Sequence, residues 1–355
     1  MTGKERIARI LKHEKVDRIG LFEHFWNDTH KAWAEQGKVS PDANFADLFG
    51  FDMDDCWAFN LTADLDFVPQ KIAEDEDTVT LLDGNGATLR RHKFHDTTPE
   101  HIDFAIKTRE DWETRIKPLL TPDPRRINFE GYRRTKEQCA KAGRFFVWSG
   151  VNVFESIHPV TGHVNMLMAM IDDPEWVEDM ANTYSDLIIE LQKMLFEKEG
   201  WPDGIWYYED MGYKGSPFMS PNFYRQMIQP AHEKTIKFAH DNGMPVIMHS
   251  CGYVEPLLPY MIEAGIDCLE VIEVKAGMDS LALKRDYGDR LVLHGGINAV
   301  LWDDKEAIVA EIERLVPVLK ENGGFIFSSD HSIPNSVSAE NFREIIAAAK
   351  RFGAY

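Results

Sequence analysis

The chain has 355 residues, 44% hydrophobic and 28% charged, which excludes a disordered chain and supplies enough apolar side chains for a full-sized core. A formal charge of −20, with no Lys/Arg cluster interleaved with aromatics, argues against a nucleic-acid partner. No run approaches the ~20 apolar residues of a membrane span, the opening MTGKERIARILKHEKVDR carries charges where a signal peptide needs an apolar core, and the four cysteines, Cys56, Cys139, Cys251 and Cys268, suit a reducing compartment, so a soluble cytoplasmic protein with no membrane partner is expected.

Taken in chain order, Arg18–Phe25 (RIGLFEHF) and Asp54–Asn60 (DDCWAFN) read as the first two strands. In Val79–His92, Asp83-Gly84-Asn85-Gly86 reads as the turn of a β-hairpin inserted after the second strand. From Arg144 onward short apolar runs alternate with amphipathic helices, the pattern of successive βα units. The strands are Phe145–Gly150, Gly204–Asp210, Pro245–Gly252, Cys268–Glu273, Leu291–Gly296 and Phe325–Asp330. After Asp173-Pro174, apolar residues from Trp176 to Leu195 recur at steps of three and four until Gly200 stops the helix. A second helix starts after Ser220-Pro221 and ends at Gly243, with a kink expected at Pro230. Eight strands with helices between them predict a (β/α)8 TIM barrel, and the absence of repeats or low-complexity segments predicts one domain over residues 1–355.

In such a barrel functional side chains converge on the mouth formed by the C-terminal strand ends. His249 and Cys251, two apart on an extended strand, point to one side and offer donors suited to zinc. Alone, the pair reads better as a core histidine beside a small buried thiol. The neighbouring strand ends add Glu273, His294 and His331, and that convergence makes a metal centre the stronger reading. On the fourth strand alternation sends Glu209 and Asp210 to opposite sides, and Asp210 is expected at the mouth as a catalytic or substrate-holding carboxylate. His24, Trp26, Asp52, Trp148, Phe154 and Tyr208 are candidates for the wall around an organic substrate. His158 and His163 show no ligand-like spacing.

These strand ends, together with TGKERIARILKHEKVDRIGL, DGIWYYEDMGYKGSPFMSPNFYRQMIQP, VKAGMDSLALKRDYGDRLVLHGGIN and GGFIFSSDHSIPNSVSAENF, resemble the uroporphyrinogen decarboxylase superfamily over nearly the whole chain. True decarboxylases of that superfamily carry an arginine-rich stretch after the first strand to clamp an acidic substrate. Here the stretch is LFEHFWNDTHKAWAEQG, without arginine. The resemblance is stronger to the corrinoid-dependent methyltransferases, among them methylcobalamin:coenzyme M methyltransferases and O-demethylase components. It implies zinc held by His249 and Cys251, with Glu273 as a carboxylate ligand and His331 where thiol-methylating members have a later cysteine; a Glu273/His294 pair is the alternative ligand set, leaving Cys251 a bystander and His331 a general acid or substrate contact.

An imidazole in place of a thiolate leaves the metal more electrophilic, which favours an oxygen-bearing methyl donor over a thiol. The chain has no Asp-x-His-x-x-Gly corrinoid motif, so the corrinoid is expected on a separate corrinoid-binding protein. The expected activity is zinc-dependent transfer of a methyl group from a small methoxylated or methylated compound to that corrinoid. Decarboxylation of a small acid and methylcobalamin:thiol transfer are the alternatives.

Overall fold

The computed structural model describes every residue except 96 and 97. Eight parallel strands form the barrel: β1 (Gly20–Leu21), β2 (Met53–Trp57), β3 (Phe145–Val151), β4 (Gly204–Tyr208), β5 (Val246–His249), β6 (Cys268–Val271), β7 (Val292–Gly295) and β8 (Phe325–Phe327). Each lies within or overlaps a run expected from the sequence. The ladder runs β1-β8-β7-β6-β5-β4-β3-β2, with helices between the strands, which is the (β/α)8 barrel fold.

Alternation along the strands sorts side chains into two layers. Phe145 and Val147 of β3 join Trp206, Ile247, Cys268, Val292 and Ile326 inside the ring, while Phe146 and Trp148 face the surrounding helices. From below, the helix Gly3–Ile10 closes the ring with Ile7 and Ile10, its first turn fixed by a capping box between Thr2 and Glu5. Between β1 and β2, Asp52 makes the join: its N–H donates to the Leu21 carbonyl, and its carboxylate accepts the Leu21 N–H, both at 2.9 Å.

The segment after β2 is larger than the expected hairpin. Its turn is there, with Asp83 accepting from the Asn85 and Ala87 N–H groups at 2.9 Å, but Thr78–Leu82 and Ala87–His92 are the centre of a four-stranded antiparallel sheet flanked by Gln70–Glu74 and Glu100–Phe104. The first outer strand is exposed at every position and the second at all but Phe104, so neither carries the apolar alternation that announces a strand.

The helix Pro174–Glu199 starts where Asp173 caps the Trp176 N–H and stops at Gly200. At Pro230 the expected kink takes the form of a π-turn, Tyr224–Ile228, leading into the helix Gln229–Asp241 with the proline in its first turn. Among the described residues no helix is long and apolar enough to cross a membrane.

Candidate metal centre

Strand register builds the site in two tiers. His249 pairs with Tyr208 on one side and Glu270 on the other, and Glu270 pairs with His294. Register partners in a parallel sheet share a face, so these four side chains point to the barrel interior as one layer. Two residues further along their chains, Asp210 and Cys251 stand above it. Glu209, one position off, turns away and is buried, accepting from the Phe154 and Glu155 N–H groups at 2.8 Å and from the His232 ring at 2.5 Å.

One ligand atom each from Asp210, His249 and Cys251 lies within 4.8 Å of the other two. His249 Nε2 is 3.1 Å from Cys251 Sγ and 3.2 Å from Asp210 Oδ1, while Nδ1 bonds the Glu270 carboxylate. A carboxylate behind the imidazole fixes ring orientation and leaves Nε2 for an ion, the usual support of a metal-bound histidine. The Cys251 N–H donates to Asp210 Oδ1 at 3.0 Å. Behind it the loops after β4 and β5 touch backbone to backbone: Gly252 has φ +79°, and a Cβ there would lie 2.3 Å from the Gly212 carbonyl carbon. Only glycine permits that approach, which sets where Cys251 stands.

Burial opposes charge on all four groups. His249 nonetheless outweighs it at Asp210, held at about 2, and at Glu270, also held below the usual carboxylate range. Burial pushes the Cys251 thiol up to about 11, so it is a thiol near neutral pH unless a cation displaces its proton. Thiolate, imidazole and carboxylate on one point are a donor set that fits zinc.

Glu273 and His331 lie outside this group, though close by. Glu273 accepts the Gly252 N–H at 2.7 Å and sits 3.4 Å from Lys275 Nζ. His331 stacks on Trp26, ring centroids 5.7 Å apart, and faces the same cavity. His294 lies deeper, fully buried against Trp206 and Phe22, its pKa pushed down to about 4 by that burial.

The cavity over the cluster holds about 480 Å³ and includes His24, Trp26 and Tyr208 in its wall. The Tyr208 hydroxyl meets His24 Nε2 at 3.1 Å, and Trp57 lies against the Tyr208 ring. Three expected wall residues are elsewhere. Asp52 precedes β2 and so stands at the barrel floor, ion-paired to Arg6 at 2.6 Å and Arg18 at 2.7 Å. Trp148 faces the helices because alternation turns it outward, and Phe154 is buried in the helix that follows β3, against Phe218.

The sequence reading gave no role to Glu23, Asp55 or Glu270, all three in this wall. Glu23 accepts from the Ser329 N–H at 2.7 Å, its hydroxyl at 2.8 Å and the His24 N–H at 3.0 Å, and burial raises its pKa to about 8. Its signal was an acidic residue inside the apolar run GLFEHF. The described lining carries carboxyl groups at Glu23, Asp55, Asp210 and Glu270 and neither lysine nor arginine.

The family model described as Uroporphyrinogen decarboxylase (URO-D) matches residues 144–352. A Methylated-thiol–coenzyme M methyltransferase from Methanosarcina mazei is 29% identical over 113 residues, which span 31% of this chain and 29% of that relative's length. A solved structure, a methyltransferase from Methanosarcina mazei, covers 100% of both chains with a TM-score of 0.67 at 19% identity, a likeness of fold.

Proposed function

The chain belongs to the uroporphyrinogen decarboxylase (URO-D) family, and from that premise we propose that it is a metal-dependent methyltransferase, carrying a methyl group from a small methoxylated or methylated compound to the corrinoid of a separate protein. The observation that carries this reading is the Asp210, His249 and Cys251 cluster beneath an aromatic-walled cavity. Zinc held by these three residues would supply a Lewis acid to polarise the heteroatom bearing the methyl group. Glu270 keeps the His249 ring oriented, and Tyr208, Trp26 and Trp57 supply flat apolar surface for the organic part of the donor. His331, over Trp26 and outside the ligand cluster, delivers a proton to the leaving oxygen.

An acidic substrate is disfavoured by the cavity's own chemistry. A carboxylate awaiting decarboxylation would meet four carboxyl groups and no lysine or arginine among the described lining residues. Transfer involving a methylated thiol is the second reading, favoured by the segment similar to the Methylated-thiol–coenzyme M methyltransferase.

The test is to mix the protein, a reduced corrinoid protein and either an aryl methyl ether or a methylated thiol, and to follow methyl-cobalt absorbance. The ether should give the larger rate, and His331→Ala should slow it while leaving the zinc content unchanged. A larger rate with the thiol would select the second reading. Carbon dioxide release from a small acid by metal-free protein, with no methyl-cobalt from either donor, would sink both.

A further inference from the structure

Outside the mouth, a second group of metal-capable side chains stands where the inserted sheet meets the helix after β3. His101 comes from the outer strand Glu100–Phe104, and His158 and His163 come from Val153–Asp172. One ring nitrogen from each lies within 4.8 Å of those of the other two. The His158 and His163 rings stack with centroids 4.3 Å apart, and His101 lies 5.9 Å from the first and 6.0 Å from the second.

Helix geometry alone would not assemble this. Residues five apart point ~140° away from each other on a regular helix. The helix is broken between them: Gly162 has φ +72° and ψ 154°, a conformation closed to ordinary side chains, and a Cβ there would lie 2.5 Å from the Phe104 ring. The break turns His163 back onto His158, and the same glycine admits Phe104, which anchors the strand bearing His101.

The rings are also prepared unequally. His158 is only 9% exposed; its Nε2 is 2.9 Å from Glu155 Oε1, while its Nδ1 has no hydrogen-bonding partner among the described residues. A buried nitrogen without a partner is costly unless something else meets it. One imidazole nitrogen on a carboxyl group with the other free for an ion repeats the arrangement at His249 and Glu270. His101 is exposed, so the group opens to solvent on one side.

We propose that His101, His158 and His163 form a second metal site, taking a divalent ion of the imidazole-preferring class such as Zn²⁺ and clamping the inserted sheet to the barrel helix. Because all donors are nitrogen, this ion is distinguishable from one bound at Cys251.

The full-length protein is equilibrated with Zn²⁺, dialysed, and assayed for zinc per chain and for sulfur in the zinc coordination shell by X-ray absorption. Two equivalents are expected in the wild type. His101→Gln, at an exposed position, should lose one equivalent and retain the sulfur signal, and His163→Gln should do the same. His249→Ala should keep one equivalent with nitrogen or oxygen neighbours only. Wild-type stoichiometry in both His101→Gln and His163→Gln, with unchanged far-ultraviolet circular dichroism, would overturn the proposal, as would a wild type whose bound zinc is all lost in His249→Ala. If the mouth binds no zinc, the wild type holds one equivalent without sulfur and His101→Gln removes it, which still supports the site.

Discussion

The barrel buries charge at both ends and treats it in opposite ways. At the floor, buried Asp52 bonds the guanidinium groups of both Arg6 and Arg18, and the exposed Asp17 takes the rest of Arg6, through bonds of 2.6–2.9 Å, two carboxylates against two permanent cations. At the mouth, Asp210 and Glu270 flank His249 and Cys251, with Asp55 in the same wall and no lysine or arginine among the described lining residues. The floor is balanced by its own side chains, so its charge serves to hold β1 to β2. The mouth is in deficit, and a bound cation would repair it. Buried charge therefore marks structure where it is neutralised from within and a site where it is not.

Substitutions at the two ends should separate these roles. His249→Ala removes the imidazole central to the cluster and should cost about 10³-fold in methyl transfer together with the mouth zinc, while the melting temperature holds within a few degrees. A variant that keeps full activity would erase the distinction at its stronger end. Asp52→Asn should do the reverse: breaking a buried pair costs about 3 kcal/mol, read from denaturant unfolding, with zinc content retained. Loss of zinc without loss of stability would move Asp52 out of the structural class.

Smaller effects refine the picture. Glu270→Gln keeps shape but takes away the charge behind His249, and should weaken zinc binding by about 10–100-fold in a competition titration. Glu23 gives a pH test. Its folded pKa of about 8 lies above the ordinary 4.5, so the stability it contributes is complete below pH 4.5 and is lost as pH rises through about 8. Melting curves from about pH 5 to about pH 9 should fall further for the wild type than for Glu23→Gln, by a few degrees. Parallel curves would show that burial does not hold this carboxyl protonated.

The eight strands were legible because a strand covered on both faces is almost continuously apolar, and His249, Cys251 and Asp210 because they end such runs or follow them directly, though Asp210 was read as a catalytic or substrate-holding carboxylate and not as a ligand. Flanking position was the weak point. A polar residue beside a strand looks the same at either end, and Asp52 sits before β2, at the floor. An aromatic inside a strand does not announce its face, which is how Trp148 passes for a pocket wall. The outer strands of the insertion are too exposed to carry a pattern, and the three-histidine group needs a helix break at Gly162 and a strand some fifty residues upstream, neither visible as spacing.

The ring also has a timetable. β1 has no ladder partner until β8 exists: Gly20 pairs with Ile326 and Leu21 with Phe327. At ~5–20 residues per second, synthesis separates the two strands by roughly 15–60 s. Through that interval the first strand can be retained by its stitch to Asp52, which needs nothing beyond the start of β2, and by the helix Gly3–Ile10 packed against it. A nascent chain can thus hold its earliest strand in place on two hydrogen bonds and one helix while its barrel stays open. Ser329 and His331 are made directly after β8, so the last wall of the cavity arrives with ring closure, and a chain released short of Phe327 has neither.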